Sequence, residues 1–592
     1  MAVFAVRAGY FSLFTEPDLP VILGVNRIPS LRGSIYDSQG RLLASDSIIY
    51  EAWLDLSYLR LSASTEQLDR ILKNIELAFG ISYERLLDSV QSTRNFLLLG
   101  TSPTNEEMLR RITPLTRKYI SLEMQRERLA FMEYGLDRII GSLDKSGLPL
   151  NGIELQYDDI LSGKADGVIR RTLMSVKREE PTNGNDIYLS INVDTQKMVY
   201  EELHRTVEKH DADGGLALLM ESKTGKVVAY AGTYNWDLGL MGVFEPGSSI
   251  KPLFYSLALS VGAITEEMTF DCTGRIQPVP GLNIIIRDVE GERHGVQTFR
   301  EALVNSCNVA TVQIGGKLLS TLGKQDMYSA IVEMGFGRLS GVDLPGETAG
   351  LLQRANEWSL ISPFQFPIGQ GLGVNIFQIV KALNIFPSGG QLITPTFARA
   401  IRYEDSFVNI PKKVEGTLFS PQLIATMLPV LETVVTDGTG KLARVDGIRI
   451  AGKTGTAQKA GVGGYNDETY YAIFYGFFPV EDPVYTLYIV IDTPKAGIYY
   501  GGFIAAPLFS SIVKKLYKID VEEEKYEGVY AWKMPDLTGY SLRDVSEVAG
   551  LYGIETLVIN GSGQVIKQFP DIGQPLEDFI EVWLGVDDGN AL

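Results

Sequence analysis

The stretch EPGSSIKPLFYSLALSVGA, residues 245–263, decides how this chain is read. Pro246-Gly247 makes a turn. The residues after it are apolar on nearly every side, the mark of a buried helix. Ser248 and Lys251 stand three apart at the start of that helix, so their side chains share one face. A helix start also offers free N–H groups and positive potential to a developing oxyanion. A serine hydroxyl becomes a nucleophile only when a base takes its proton. The three histidines, His204, His210 and His294, support no triad, and His204 and His210 read as a solvated helix face. The base is therefore expected to be lysine.

Two further short patterns belong with this one. S-x-x-K occurs at Ser142, Ser248 and Ser511; S-x-N at Ser190 and Ser306; K-T-G at Lys223 and Lys453. Two sets run in the same order: Ser142, Ser190, Lys223 and Ser248, Ser306, Lys453. Local context separates them. Ser142 lies in SLDKSGLPL, where Gly and Pro break a helix, and Lys223-Thr224-Gly225 fills a hairpin turn. Ser306-Cys307-Asn308 lies in TFREALVNSCNVATVQIGG, a helical pattern able to face a cleft. Lys453 lies in IAGKTGTAQ, a strand on which an extended peptide can pair by β-addition. The second set is preferred.

Working outward, RGSIYDSQGRLLA (32–44) reads as strands around the turn Ser38-Gln39-Gly40, and 64–140 as helix-like. VDTQKMVYEELHRTVEKH (193–210) is a helix, with Asp194 near its start. LALLMES and KVVAYAG form a hairpin. Helical patterns dominate 298–440. IRIAGKTGTAQ, TYYAIFYGFFP and VYTLYIVIDTP predict an antiparallel sheet, with a helix over 507–519 packed on it. VEEEKYEG (521–528) is an acidic linker, and 531–588 a small αβ unit.

The 592 residues allow three or four domains, and 45% hydrophobic with 21% charged residues is ordinary for a globular chain. The net charge of -18, without a basic stripe, argues against nucleic acid as a partner. Two cysteines, Cys272 and Cys307, make neither a disulfide framework nor a zinc set. Cys307 reads as a buried thiol without a role. The apolar run 2–14 is shorter than the ~20 residues of a membrane span. It is read as a short buried segment or as the end of an anchor whose start is missing.

EPGSSIKP, NSCNVA and AGKTGTAQ resemble, in order, the three active-site motifs of the penicillin-binding proteins. RGSIYDSQGRLLA is similar to the opening motif of the class B, monofunctional members, with Ser38-Gln39 in place of the usual Arg-Asn. NGIELQYDDILSGKADG (151–167) resembles the end of their pedestal domain. FPIGQGLGVNIFQ (366–378) and YYGGFIAAPLF (499–509) resemble their transpeptidase domain, and 531–588 resembles a PASTA domain. The nearest group is the septal, cell-division transpeptidases with a C-terminal PASTA domain.

The resemblance implies a multidomain α+β chain. An N-terminal segment, 1–29, is a possible anchor remnant. A pedestal follows at 30–210, then a transpeptidase domain at 211–520, with an antiparallel sheet flanked by helices plus an all-helical subdomain, and a PASTA domain at 529–592. It implies a peptidoglycan D,D-transpeptidase that is acylated by β-lactams, on a single-pass anchor with its catalytic domain outside the cytoplasmic membrane. Ser248 is then the nucleophile and Lys251 the base, kept neutral by burial and by Lys453. Ser306 relays the proton, and Asn308 holds Lys251 and the substrate amide. Lys453, Thr454, Gly455 and Thr456 bind the substrate strand and its carboxylate, with the N–H groups of Ser248 and Thr456 as oxyanion hole. No metal or organic cofactor is expected. Partners are stem peptides, a membrane glycan polymerase and division proteins. The competing readings are a D,D-carboxypeptidase and a catalytically inactive scaffold.

Overall fold

The computed structural model describes residues 24–102, 104, 109–171, 176–288, 293–403, 406–461, 464–497, 499–519, 537, 545, 556–561, 564–571, 574 and 579–585. The apolar run 2–14, the linker 521–528 and most of 531–588 lie outside them.

The N-terminal part is built on the long strand Leu42–Asp55. It pairs antiparallel with Ile35–Tyr36, Phe96–Ser102 and Ile120–Ala130. Ile35–Tyr36 lies parallel to Asp186–Leu189, which pairs with Ala398–Tyr403, and that strand with Ser406–Asn409. Two strands from within 211–520 therefore complete this sheet.

The helical reading of 64–140 holds for Thr65–Phe79, Tyr83–Gln91 and the short helices Pro114–Arg117 and Leu136–Ile140, and fails for the strands Phe96–Ser102 and Ile120–Ala130. Ile120–Ala130 is a strand whose burial alternates residue by residue over 120–127. The period of two, with Ser121, Glu123, Gln125 and Glu127 on the exposed side, is what a half-covered strand requires.

Arg32 and Glu154 join the opening motif to 151–167 as a buried ion pair, Nε to Oε2 2.5 Å. Arg128 bridges Glu154 at 2.7 Å and Asp46 at 3.1 Å, so the buried charges compensate one another.

The central sheet has five antiparallel strands: β1 (Gly214–Glu221), β2 (Val227–Gly232), β3 (Ala451–Gly461), β4 (Gly464–Phe478) and β5 (Tyr485–Asp492). Their order is β2-β1-β5-β4-β3, which leaves β3 at the edge. Helices α1 (Val193–Lys209) and α5 (Gly501–Leu516) cover one face through Val199, Leu203, Phe509 and Ile512. The other face meets α2 (Lys251–Ser260), α3 (Asn308–Glu333) and α4 (Pro421–Thr436), with Leu253, Phe254 and Tyr255 in the core. With both faces covered, β5 reads as a continuous buried apolar run. Within 531–588, strands 556–561, 564–569 and 579–585 form a small sheet with 579–585 in the middle.

Candidate active site

Ser248 lies in a single 3₁₀ turn, Gly247–Ile250, and Lys251 opens α2. The sequence predicted Ser248 inside the α-helix; the tighter turn follows from Pro252, which suits the first turn of a helix and donates no hydrogen bond. The Lys251 N–H donates to the Ser248 carbonyl, holding the two residues on one turn. Gly247 has φ 52°, and a Cβ there would stand 3.0 Å from the Thr456 carbonyl oxygen. The turn is thus pressed against β3, and only glycine allows it. Behind it, the Ser249 hydroxyl donates to the Pro246 carbonyl at 2.7 Å and meets Tyr488 Oη at 3.0 Å. Ser248 itself is half-buried, and its hydroxyl has no hydrogen-bond partner among the described residues.

Ser306-Cys307-Asn308 is not helical throughout, as the sequence had suggested. A short helix ends at Val304, Ser306 takes φ 58°, and α3 starts at Asn308 with Cys307 as its N-cap. A left-handed serine is rare and marks a backbone held by its surroundings. Lys251 holds it. Its Nζ donates to the Ser306 carbonyl at 2.5 Å and to Asn308 Oδ1 at 2.8 Å, and lies 3.4 Å from Ser306 Oγ. The Asn308 amide donates to the Arg287 carbonyl at 2.9 Å, and its backbone N–H to Asp288.

Lys453 comes from β3. Its Nζ donates to Ser306 Oγ at 2.8 Å, to the Thr454 carbonyl at 3.1 Å and to Thr454 Oγ1 at 3.2 Å. Ser306 Oγ thus stands between two lysine nitrogens. Both lysines are fully buried. Burial pushes the Lys251 amine down to about 8. Burial also carries Lys453 well below the usual lysine range, with Lys251 adding to the effect. The Lys251 ammonium thus disfavours charge on Lys453, whereas Lys251 itself is lowered by burial and not by Lys453, in contrast to the expectation from the sequence.

The three preferred motifs therefore meet in one cleft. The alternative set is tied up elsewhere: Ser142 Oγ on Asn151, Ser190 Oγ on the Val227 carbonyl, and exposed Lys223 on Asp482. Thr456 Oγ1 accepts from the Gly501 N–H at 3.3 Å. Gly455 lies buried beside the Pro246 carbonyl oxygen, which a Cβ would meet at 3.1 Å.

Sequence reasoning missed two neighbours. Thr439 shares a 2.6 Å hydroxyl contact with Thr454. Asp288 holds the Asn308 N–H and, with His294, comes to lie beside both cysteines. Neither sits in a motif; only the fold brings them there.

Residues 215–514 match the family model of the Penicillin binding protein transpeptidase domain. Stage V sporulation protein D of Bacillus subtilis is 29% identical over 484 residues, which is 75% of this chain and 73% of that protein. The probable peptidoglycan D,D-transpeptidase PbpC of Pseudomonas aeruginosa is 30% identical over 517 residues, 82% of this chain and 86% of that one. The structure of penicillin-binding protein 3 from Mycobacterium tuberculosis, complexed with aztreonam, superimposes with a TM-score of 0.61 at 25% identity, covering 84% of this chain and 97% of that chain. The chain belongs to the penicillin-binding protein transpeptidase family, as a class B member.

Proposed function

We propose that this protein is a peptidoglycan D,D-transpeptidase that works through a serine acyl-enzyme on Ser248. The observation that carries the reading is Ser306 Oγ, set 2.8 Å from Lys453 Nζ and 3.4 Å from Lys251 Nζ, next to the turn that bears Ser248. Two buried amines joined by one hydroxyl form a proton path.

The substrate is the D-Ala-D-Ala end of a stem peptide. It adds as a strand along the edge of β3, its carboxylate on Lys453, Thr454 and Thr456. A carboxylate there raises the proton affinity of Lys453. Lys453 then draws a proton from Lys251 through Ser306, and Lys251 is left neutral to accept the Ser248 proton. Ser248 Oγ bonds to the penultimate carbonyl carbon. The C–N bond to the terminal D-Ala breaks, and the amine leaves with a proton returned through Ser306. Backbone N–H groups of Ser248 and Thr456 receive the oxyanion. Asn308 holds Lys251 and the substrate amide, and Gly455 keeps β3 close to the turn. An amine of a second stem peptide takes the acyl group. A β-lactam enters the same path and stays on Ser248, in keeping with the aztreonam complex of the mycobacterial relative.

We assign 30–210 to a pedestal, 211–520 to the transpeptidase unit and 529–592 to a PASTA domain. We place the cross-linking at the division septum. The catalytic part stands outside the cytoplasmic membrane on a single-pass anchor, beside a glycan polymerase and division proteins. No helix among the described residues is long and apolar enough to cross a membrane. The name of the Bacillus relative favours one alternative, a role in sporulation.

The test is incubation of the purified protein with a synthetic D-Ala-D-Ala peptide donor and an amine acceptor. Cross-linked product from the wild type and none from Ser248→Ala supports the reading. Hydrolysis alone would make the protein a carboxypeptidase, and no reaction would leave a scaffold.

A further inference from the structure

Arg275 and Arg287 stand opposite one another at the rim of the catalytic cleft. They belong to a two-stranded ribbon, Arg275–Ile276 against Ile286–Arg287, in which residue 275 pairs with 287 and 276 with 286. Directly opposed residues of a strand pair carry their side chains on one side. Both arginines are exposed, while Ile276 and Ile286 are half-buried where the ribbon packs near α3. Among the described residues no carboxylate forms an ion pair with either guanidinium. Asp288, the next residue, commits its carboxylate to the Asn308 N–H and to Cys272. Like charges set directly opposite one another destabilise a strand pair. In a chain of net charge -18, two cations held together at that cost point to an anion from outside.

Their place says which anion. The Arg287 carbonyl accepts from the Asn308 amide at 2.9 Å, and Asn308 Oδ1 accepts from Lys251 Nζ at 2.8 Å. The ribbon is thus two hydrogen bonds from the amine that serves Ser248. An extended peptide advances about 3.3 Å per residue, so the guanidiniums stand over the first few residues beside the reacting bond. They lie on the Asn308 wall, away from Lys453, which takes the D-Ala carboxylate on the other. Ile284 and Ile285, 40% and 38% exposed, lead into the ribbon and give apolar surface for the methylenes of a side chain. A guanidinium fork matches a carboxylate with two parallel hydrogen bonds.

We infer that Arg275 and Arg287 form a subsite for a side-chain carboxylate of a stem peptide, on the donor strand upstream of D-Ala-D-Ala or on the strand that brings the amine. The inference rests on the peptidoglycan reading above and deepens it. It says which stems the cleft selects: those with a free carboxylate close to the reacting bond, over those in which that group is amidated.

The test is steady-state cross-linking with a synthetic D-Ala-D-Ala donor and an amine acceptor, each made with its side-chain carboxylate free or amidated. In the wild type, amidating one of the two is expected to lower kcat/KM about 10-fold, through KM, as fits the loss of a charge-assisted pair at an exposed site. The peptide whose amidation matters is the one the arginines hold. Arg275→Gln and Arg287→Gln should each lose a similar factor with the free carboxylate and nothing with the amide. Both should be acylated at the wild-type rate by benzylpenicillin, whose one carboxylate corresponds to the D-Ala end. Amidation without effect on the wild type overturns the proposal, as do variants that cross-link the free peptides within about twofold of wild type. A variant slowed equally with free and amidated peptides, or slowed toward benzylpenicillin, would make the arginines structural and also overturns it. A wild type that penicillin does not label sinks the serine reading instead. Binding of the same peptides, fluorescently tagged, to folded Ser248→Ala then decides the subsite: a preference of about 10-fold for one free carboxylate supports it, and equal binding of free and amidated forms rejects it.

Discussion

Lys453 Nζ donates to Ser306 Oγ at 2.8 Å, across 147 positions of sequence. That contact closes the cleft between the β3 edge and the start of α3, and it sets Ser306 within reach of Lys251 as well. A hydroxyl so placed can accept from one amine and donate to the other once that amine is neutral.

The first prediction concerns that hydroxyl. Ser306→Ala is expected to slow acylation by a fluorescent penicillin about 10²–10⁴-fold, the usual worth of a positioned proton carrier. The rate is read from time courses on denaturing gels, with circular dichroism unchanged. A rate within threefold of wild type would remove Ser306 from the proton path.

The second is a pH profile. On the proposed mechanism Lys251 must be neutral to act as base, and burial pushes its amine down to about 8. Acylation is therefore expected to rise with pH and level off above about 8. The folded-state value lies below the unfolded one, so stability also rises from about pH 8 upward as the unfolded chain keeps the proton the folded one has lost. Below pH 8 both states hold it, and the cost of burying the charge is fully present. An acylation rate that falls steadily between pH 6 and 9 would contradict the assignment.

Gly501 supplies the third. A Cβ there would meet the Ile473 carbonyl oxygen at 2.2 Å and that of Gly455 at 2.3 Å. Gly501→Ala must push α5 away from β3 and shift the edge proposed to take the substrate, at a cost of about 1–3 kcal/mol. Both a lower thermal midpoint and weaker penicillin labelling are expected. Wild-type values for both would show that the sheet yields freely.

The fourth lies far from the cleft. Glu154 is shared by buried Arg32 and Arg128. Glu154→Gln leaves the two guanidiniums undercompensated and is expected to destabilise the N-terminal part by about 3–5 kcal/mol. Urea unfolding measures it, and the folded fraction should still label with penicillin at the wild-type rate. A change below 1 kcal/mol would mean that water reaches the pair.

Much of this site was legible in the sequence, because its chemistry is written in short local spacings. Ser248 and Lys251 share a turn, and Lys453 needs a strand. Periodicity and turn residues were enough to tell them from the decoys at Ser142 and Lys223. What was not legible depends on long-range packing. The strand Ile120–Ala130 carries enough charge to pass for a helix until its partner Leu42–Asp55 is placed beside it. The left-handed backbone of Ser306 closes the helix Phe299–Val304, and its carbonyl is taken by Lys251, 55 positions away. The meeting of Cys272 and Cys307 with Asp288 and His294 follows from strands too short to see in the sequence pattern.

The most direct measurement is the site of covalent attachment. The protein is treated with a penicillin, digested and examined by tandem mass spectrometry. One adduct is expected, on Ser248, absent after prior treatment with a second β-lactam and absent in Ser248→Ala. An adduct on any other residue, or none on a folded protein, would contradict the assignment of Ser248 as nucleophile.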